Sequence, residues 1–493
     1  MALIPLQIPP GIYRNGTDLQ QASRWRDSNL VRWVDNTMKP VGGWKQRSLT
    51  AADNKIRGLI TWVTNSDIRY IAAGTYANLY AYNAAGTRYD ITPTGFTSGR
   101  EDANAYTGYG SGAYGYDEYG VGRQDITTID AATTWSLDTW GEYLVACSSD
   151  DGKIYEWQTD TAVIAAVLSN APTENIGIVV TDERFLFALG AGGDPRKVQW
   201  CDKEDNNLWT PAATNEAGDI LLQTAGNIMC GITVKGQTLI LTDIDAHTAT
   251  YQGPPYVYGF ERVGTACGIA SKKAVATTDF GALWMGKKAF FSYSGGAVSR
   301  LQSDVSDYVF SDINESQISK AFAVTNSRYS EVWWFYPSQD STECNRYVSF
   351  NYLENTWAIG QLDRTAGVDQ GAFRYPFFAS ASDNHFYDHE KGFVYDSLTP
   401  YAESGPISIG NGDQVAYVTE MIPDEKTQGD VNVTFKTRFY PNDTESSHGP
   451  FSMSNPTSMR FTGRQIRMRV EGQRLSDWRV GVNRLDIMPG GRR

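Results

Sequence analysis

The sequence predicts an all-β protein: a β-propeller of about seven blades, with six as the alternative count, plus a smaller C-terminal β-sandwich-like domain. Three observations carry this. Aromatic residues are abundant, with 14 Trp, 28 Tyr and 20 Phe, and large flat side chains pack well on pleated surfaces. The 47 Gly supply turns. A two-strand pattern also recurs along most of the 493 residues, which is the mark of a repeat architecture. Helix-period runs with capping residues are scarce.

Each copy of the pattern is an apolar strand, a short polar or glycine turn, and a second strand ending in aromatics. The copies run Tyr70–Gly74 with Asn78–Tyr82, Tyr143–Cys147 with Asp151–Trp157, Phe185–Leu189 with Val198–Trp200, and Leu239–Thr242 with Thr250–Gln252. Three more follow: Ala282–Met285 with Phe290–Tyr293, Val332–Phe335 with Tyr347–Phe350, and Pro376–Ala379 with Phe386–Asp388. The anchors Ile71, Leu144, Phe187, Leu241, Leu283, Trp334 and Phe378 are spaced by 73, 43, 54, 42, 51 and 44 residues. Five of these intervals approach the roughly 40–50 residues of one four-stranded blade. A blade this small cannot bury both faces alone, and radial stacking covers them. Consecutive sandwiches would show strands at a similar density.

Asp151-Gly152 is a two-residue hairpin signal. Ser148 to Tyr155 also resembles the Asp-box of sialidase-like propellers, with Asp150 at its acidic position. Such a box braces a turn and carries no catalysis.

The 73-residue interval contains an insertion at 95–124 whose centre is rich in Tyr and Gly: Tyr106, Tyr109, Tyr114, Tyr116 and Tyr119 alternate with glycines. Tyrosine gives amphipathic contact area at low entropic cost, which makes this a candidate contact or gating loop. Its G-x-G spacing lacks the strand-to-helix setting of a nucleotide site. The chain thus divides into 1–50, an N-terminal arm with a ring-closing strand; 51–398, the propeller; and 399–493, the C-terminal β-domain. Thr399–Pro406 reads as a linker between the last two. From Leu30 to Val34 the alternation suggests an edge strand, a candidate for closing the ring.

Charge excludes a free basic nucleic-acid binder: 43 Lys and Arg face 56 Asp and Glu, a net −13, whereas phosphate binding needs clustered cations. The distribution is uneven. Residues 460–493 hold nine Arg and no Lys against three carboxylates, a local +6 that leaves −19 on the rest. Arg without Lys favours bidentate ion pairing, so Arg464, Arg467 and Arg469 are candidate interface residues. Trp25, Trp33 and Trp44, with Arg26 beside them, are large or charged enough to anchor either a core or a subunit interface.

No secretory signal or membrane-length apolar run is present, and a protein made in a cytoplasm is expected. Five well-separated cysteines give neither a disulfide framework nor a zinc pattern. Of four histidines, His385 and His389 share a strand face, but a third ligand is not defined. No catalytic, cofactor or metal residue is assigned, and the chain is expected not to be an enzyme.

The stretch Arg24-Trp25-Arg26-Asp27-Ser28-Asn29-Leu30-Val31-Arg32-Trp33-Val34, followed by Lys39-Pro40-Val41-Gly42-Gly43-Trp44-Lys45-Gln46-Arg47, resembles the opening of tail nozzle or tail hub proteins of short-tailed bacteriophages, also called head-completion or DNA-stabilisation proteins. The resemblance covers about the first tenth of the chain. It implies a structural virion protein of the phage tail, assembled in the host cytoplasm. Six copies would form a ring below portal and adaptor that extends and closes the DNA-ejection channel and supports spikes or fibres. Its partners would be itself, the tail adaptor, spike or fibre proteins, and double-stranded DNA passing without sequence-specific binding. The alternative is a carbohydrate-binding or carbohydrate-cleaving propeller acting at a host surface.

Overall fold

Strands whose residues are apolar on both faces need cover on both faces, and the chain supplies it by stacking sheets side by side. A computed structural model describes residues 2–105, 129–409, 414–441 and 443–491. Seven of its sheets are four-stranded antiparallel meanders following one another along the chain. The first comprises Ile56–Val63, Arg69–Thr75, Leu79–Asn83 and Arg88–Asp90, and the second Trp135–Trp140, Tyr143–Ser148, Ile154–Trp157 and Ala166–Val167. The third, fourth, fifth and sixth begin at Gly177–Val180, Ile228–Val234, Val275–Thr278 and Phe322–Asn326. The seventh begins at Ala366–Val368. These first strands neighbour one another in order, and the seventh returns to the first. That cyclic arrangement is a β-propeller.

Burial follows the radius. In the fifth sheet the innermost strand Val275–Thr278 is half-buried, Gly281–Met285 is buried throughout, and the outermost Ala297–Arg300 is largely exposed. The anchors Ile71, Leu144, Phe187, Leu241, Leu283, Trp334 and Phe378 each fall on the second strand of one of the seven sheets. That strand has a partner on either side and a sheet against each face, so it reads as a continuous apolar run.

The aromatic excess goes between the sheets. Ring pairs span neighbours at Tyr70–Trp157 (5.3 Å), Phe187–Tyr258 (4.8 Å), Phe290–Trp334 (5.0 Å), Phe335–Phe378 (5.6 Å) and, from the seventh sheet back to the first, Tyr82–Phe386 (5.0 Å). Such pairs add about 0.5–1.5 kcal/mol beyond area burial.

The ring is closed by Trp44–Gln46, which pairs with Phe386–His389 as the outer strand of the seventh sheet. Val31–Val34, the candidate from alternation, instead forms a hairpin with Thr37–Pro40. Other strands of the 1–50 segment pair with the end of the chain. Ala2–Pro5 pairs with Arg484–Pro489, and Trp25–Asn29 pairs with Tyr401–Ser404.

Those pairings belong to a second body of two sheets. One joins Ala2–Pro5, Arg484–Pro489, Ala416–Ile422 and Thr457–Gly463, and the other Trp25–Asn29, Tyr401–Ser404, Gln465–Gly472, Val431–Arg438 and Ser446–Ser452, with Ile407–Ser408 at its margin. Phe435 of the second touches Phe461 of the first at 5.1 Å. The linker-like 399–406 stretch carries a central strand of this body, because its partner lies more than 370 residues upstream and local composition does not reveal it. Val480 makes isolated bridges to Met38 and Glu425.

Candidate functional site

The text from Arg24 to Arg47 forms the joint between the two bodies. Trp25 and Trp33 are buried side by side, ring centroids 6.3 Å apart. Trp44 is buried too, stacked on His389 at 5.4 Å, edge-on to Tyr395, its indole N–H donating to Asp396 at 2.7 Å. All three serve the core of the protomer. Arg26 pairs with Asp18 at 2.7 Å, and Asp18 also takes Arg438 at 2.5 Å.

Arg32, which sequence reasoning left unassigned, is the most heavily engaged residue here. Its side chain is 3% exposed and lies between Glu331 (2.9 Å) and Glu390 (2.5 Å), 3.7 Å over the Tyr329 ring. Burial opposes its charge, yet the two glutamates raise its pKa above the ordinary value. Burial also raises that of Glu331, against the pull of Arg32. Gly42 and Gly43 lie outside the left-handed region. Glycine is needed there because a Cβ would come 2.5 Å from Glu390 Cα or 2.4 Å from the Val394 nitrogen.

The candidate interface arginines find partners inside the chain. Arg467 pairs with Glu403 (2.7 Å) and Glu445 (3.0 Å). Arg469 pairs with Glu471 (3.2 Å) and lies 3.6 Å over the Tyr401 ring, and Arg464 sits over Tyr440 at 5.2 Å. The alternation of Gln465–Gly472 puts Arg467 and Arg469 on one face, beside the strand carrying Glu403. Burial would raise the Glu403 pKa, but Lys436, Arg467 and Arg469 hold it below the ordinary value.

A cavity of about 400 Å³ occupies the axis where the innermost strands begin, lined by residues of all seven sheets. At the described base of the insertion Asn104–Ala105 pairs with Ile129–Asp130, and the residues just before it bond to Arg57 and Lys320, which line the cavity. Glu101 is held by Lys55 at 3.1 Å near the first sheet. The Ala103 N–H donates to Gln317 (3.0 Å), whose amide donates back to the Ala103 carbonyl (2.9 Å), just before the sixth sheet. Lys320 binds Asp102 and Glu343, and Glu343 also accepts both terminal nitrogens of Arg57 at 2.8 and 2.6 Å. Burial alone would raise the Glu343 pKa; these cations push it down to about 2. The tyrosines Tyr106, Tyr109, Tyr114, Tyr116 and Tyr119 lie outside the described residues.

The Asp-box turn is braced by Asp151, one residue after the acidic position read from sequence. Asp151 accepts from the Tyr155 hydroxyl, Lys153 (3.1 Å) and the Thr97 N–H (3.1 Å), while Gly152 takes φ +68°. Burial opposes its ionisation, but these donors hold its pKa below the ordinary value. Asp150 instead pairs with Arg100 at 3.0 Å near the surface. Asp151→Asn is expected to destabilise by about 1–3 kcal/mol, and Asp150→Asn by under about 1 kcal/mol, measured by thermal unfolding. The Asp151 contribution is present above the unfolded-chain carboxylate pKa and is lost as pH falls through its lower folded value.

His389 is buried and accepts from Arg364 Nε at 2.9 Å; burial and that guanidinium keep it neutral. Among the described residues, no group of three or more His, Cys, Asp or Glu is arranged to hold a metal ion. None of the described helices is long and apolar enough to cross a membrane. All five cysteines are free, four of them buried.

No family model and no curated protein matches the chain. Solved structures similar to it include virginiamycin B lyase from Staphylococcus aureus, 8% identical with a TM-score of 0.44, covering 70% of this chain and 98% of that one. Another is YCF48 bound to D1 peptide, 7% identical with a TM-score of 0.38 over 71% and 97%. PorZ of the Porphyromonas gingivalis type-IX secretion system is 10% identical, with a TM-score of 0.38 over 86% and 53%. At these scores the assignment of a propeller rests on the sheet topology itself.

Proposed function

We propose that the seven sheets are the blades of one seven-bladed propeller, that the second body is a β-sandwich, and that the chain is the nozzle or hub subunit of a short-tailed phage tail. Six copies form a ring below portal and adaptor, extend and close the DNA-ejection channel, and carry spikes or fibres. The observation supporting this most is the role of the Arg24–Arg47 text. The residues that carry the family resemblance run through both bodies: Trp25–Asn29 pairs with Tyr401–Ser404 in the second body, Ser28 and Asn29 bond to Ile359 and Gln361 of the sixth sheet, and Trp44–Gln46 completes the seventh. The net charge of −13 suits a lumen that repels phosphates and lets DNA slide.

The rival sugar-cleaving reading needs two carboxylates facing one another. The axial cavity offers Asp138 as its one acidic side chain among the described lining residues. Light scattering of the purified chain is expected to give six times the 54.6 kDa protomer mass. A monomer at high concentration that is also absent from purified tails overturns the proposal.

A further inference from the structure

Among the described residues, the positive charge that lines the axial cavity is only partly matched by contacting carboxylates. Four cationic side chains line it: Arg57, Lys320, Lys272 and Lys273. The first two are neutralised, since Arg57, Lys320 and Lys55 share Glu343, Glu101 and Asp102, three cations with three carboxylates. Lys272 and Lys273 are not. Lys272 donates to a single acceptor, the Ile176 carbonyl at 3.3 Å, out of three donors on an ammonium. Among the described residues the Lys273 ammonium has neither a hydrogen bond nor an ion pair.

Both lysines are held in place by their backbone. Ser271 Oγ donates to the Ala321 carbonyl, and the Lys273 carbonyl accepts from the Ala323 N–H at 2.8 Å. Both open partly onto the cavity while protein encloses them elsewhere. The groups around them do not supply a counter-charge in contact. Asp138 accepts from the N–H groups of Val180 and Thr139, both at 2.8 Å; burial raises its pKa, and its charge acts on Lys273 through space without contact. The Cys147 and Cys230 thiols are pushed up to about 12 by burial, so they stay neutral. Asp150 is engaged by Arg100. Burial lowers both ammonium pKa values, and the Lys272 charge lowers that of Lys273 further.

Both ammonium groups face a cavity of about 400 Å³, which is of ligand size. We propose that the axial cavity is a binding site for a small oxyanion bearing two or more negative charges, held by Lys272 and Lys273. The chemistry is shared by phosphate-type anions and compact polycarboxylates. The site is independent of the nozzle reading.

The test is calorimetric titration of the full chain at constant ionic strength, with pyrophosphate and with citrate as probes. Wild-type protein is expected to bind one of them at one per chain, the preferred probe giving the anion type. Lys273→Met is expected to weaken binding at least about tenfold, and exposed Lys287→Met to leave it unchanged. Should Lys273→Met fail to fold, Lys272→Met serves as the second variant with the same expectation. Absence of binding of both probes to wild type overturns the site, as does binding that survives unchanged in either cavity variant.

Discussion

Replacing Arg32 with alanine is expected to cost the fold about 3–5 kcal/mol, because removing one member of a buried ionic group leaves the others charged and unpaired. Glu331 and Glu390 would lose their guanidinium and keep the neutral Trp333 and Asn326 donors at 2.9 Å each. The pH dependence discriminates this from a simple cavity. Glu331 already has a folded pKa above its ordinary value through burial, so its protonated form favours the fold, and that contribution is lost as pH rises through the folded pKa. Without Arg32 the rise is greater. The deficit in the variant is therefore expected to shrink as pH is lowered from neutrality toward 5, measured by chemical unfolding at each pH. Arg32→Lys is expected to recover only part of the loss, since an ammonium cannot bridge two carboxylates with a planar fork.

Trp44→Ala is expected to be comparably damaging, about 3–5 kcal/mol for a buried Trp, with damage localised at the ring closure. The substitution removes the His389 stack and the Asp396 hydrogen bond. It also takes the bulk from a strand only three residues long, Trp44–Gln46. Hydrogen exchange is expected to accelerate first in Phe386–His389, the strand that pairs with it, before the second to fifth sheets respond. Uniform acceleration around the ring would mean that Trp44–Gln46 is not the closing strand.

The sequence showed what is local. Hairpins such as Tyr143–Ser148 with Ile154–Trp157 are adjacent in the chain, and their buried second strands repeat at blade spacing. Ile466, Met468 and Val470 alternate because that strand has one inward face. What stayed hidden is non-local. Trp44–Gln46 and Tyr401–Ser404 have partners more than 340 residues away, and three or four residues carry too little pattern to announce a strand. Gly42 and Gly43 are required by close backbone approach of Glu390 and Val394, more than 340 residues away. A run of Arg likewise says nothing of Glu403 on the adjoining strand, with which Arg467 and Arg469 pair. Lys272 and Lys273 are an ordinary lysine pair in sequence, and only the convergence of seven innermost strands shows what surrounds them.

The central claim, that this chain builds an annular tail component, is tested most directly by electron-microscopy class averages of the purified protein and of the tails that contain it. The account predicts six-fold rings with an open centre, and the same ring at the distal end of the tail below the adaptor. Solitary propeller-sized particles, together with tails that show no such ring, would contradict it.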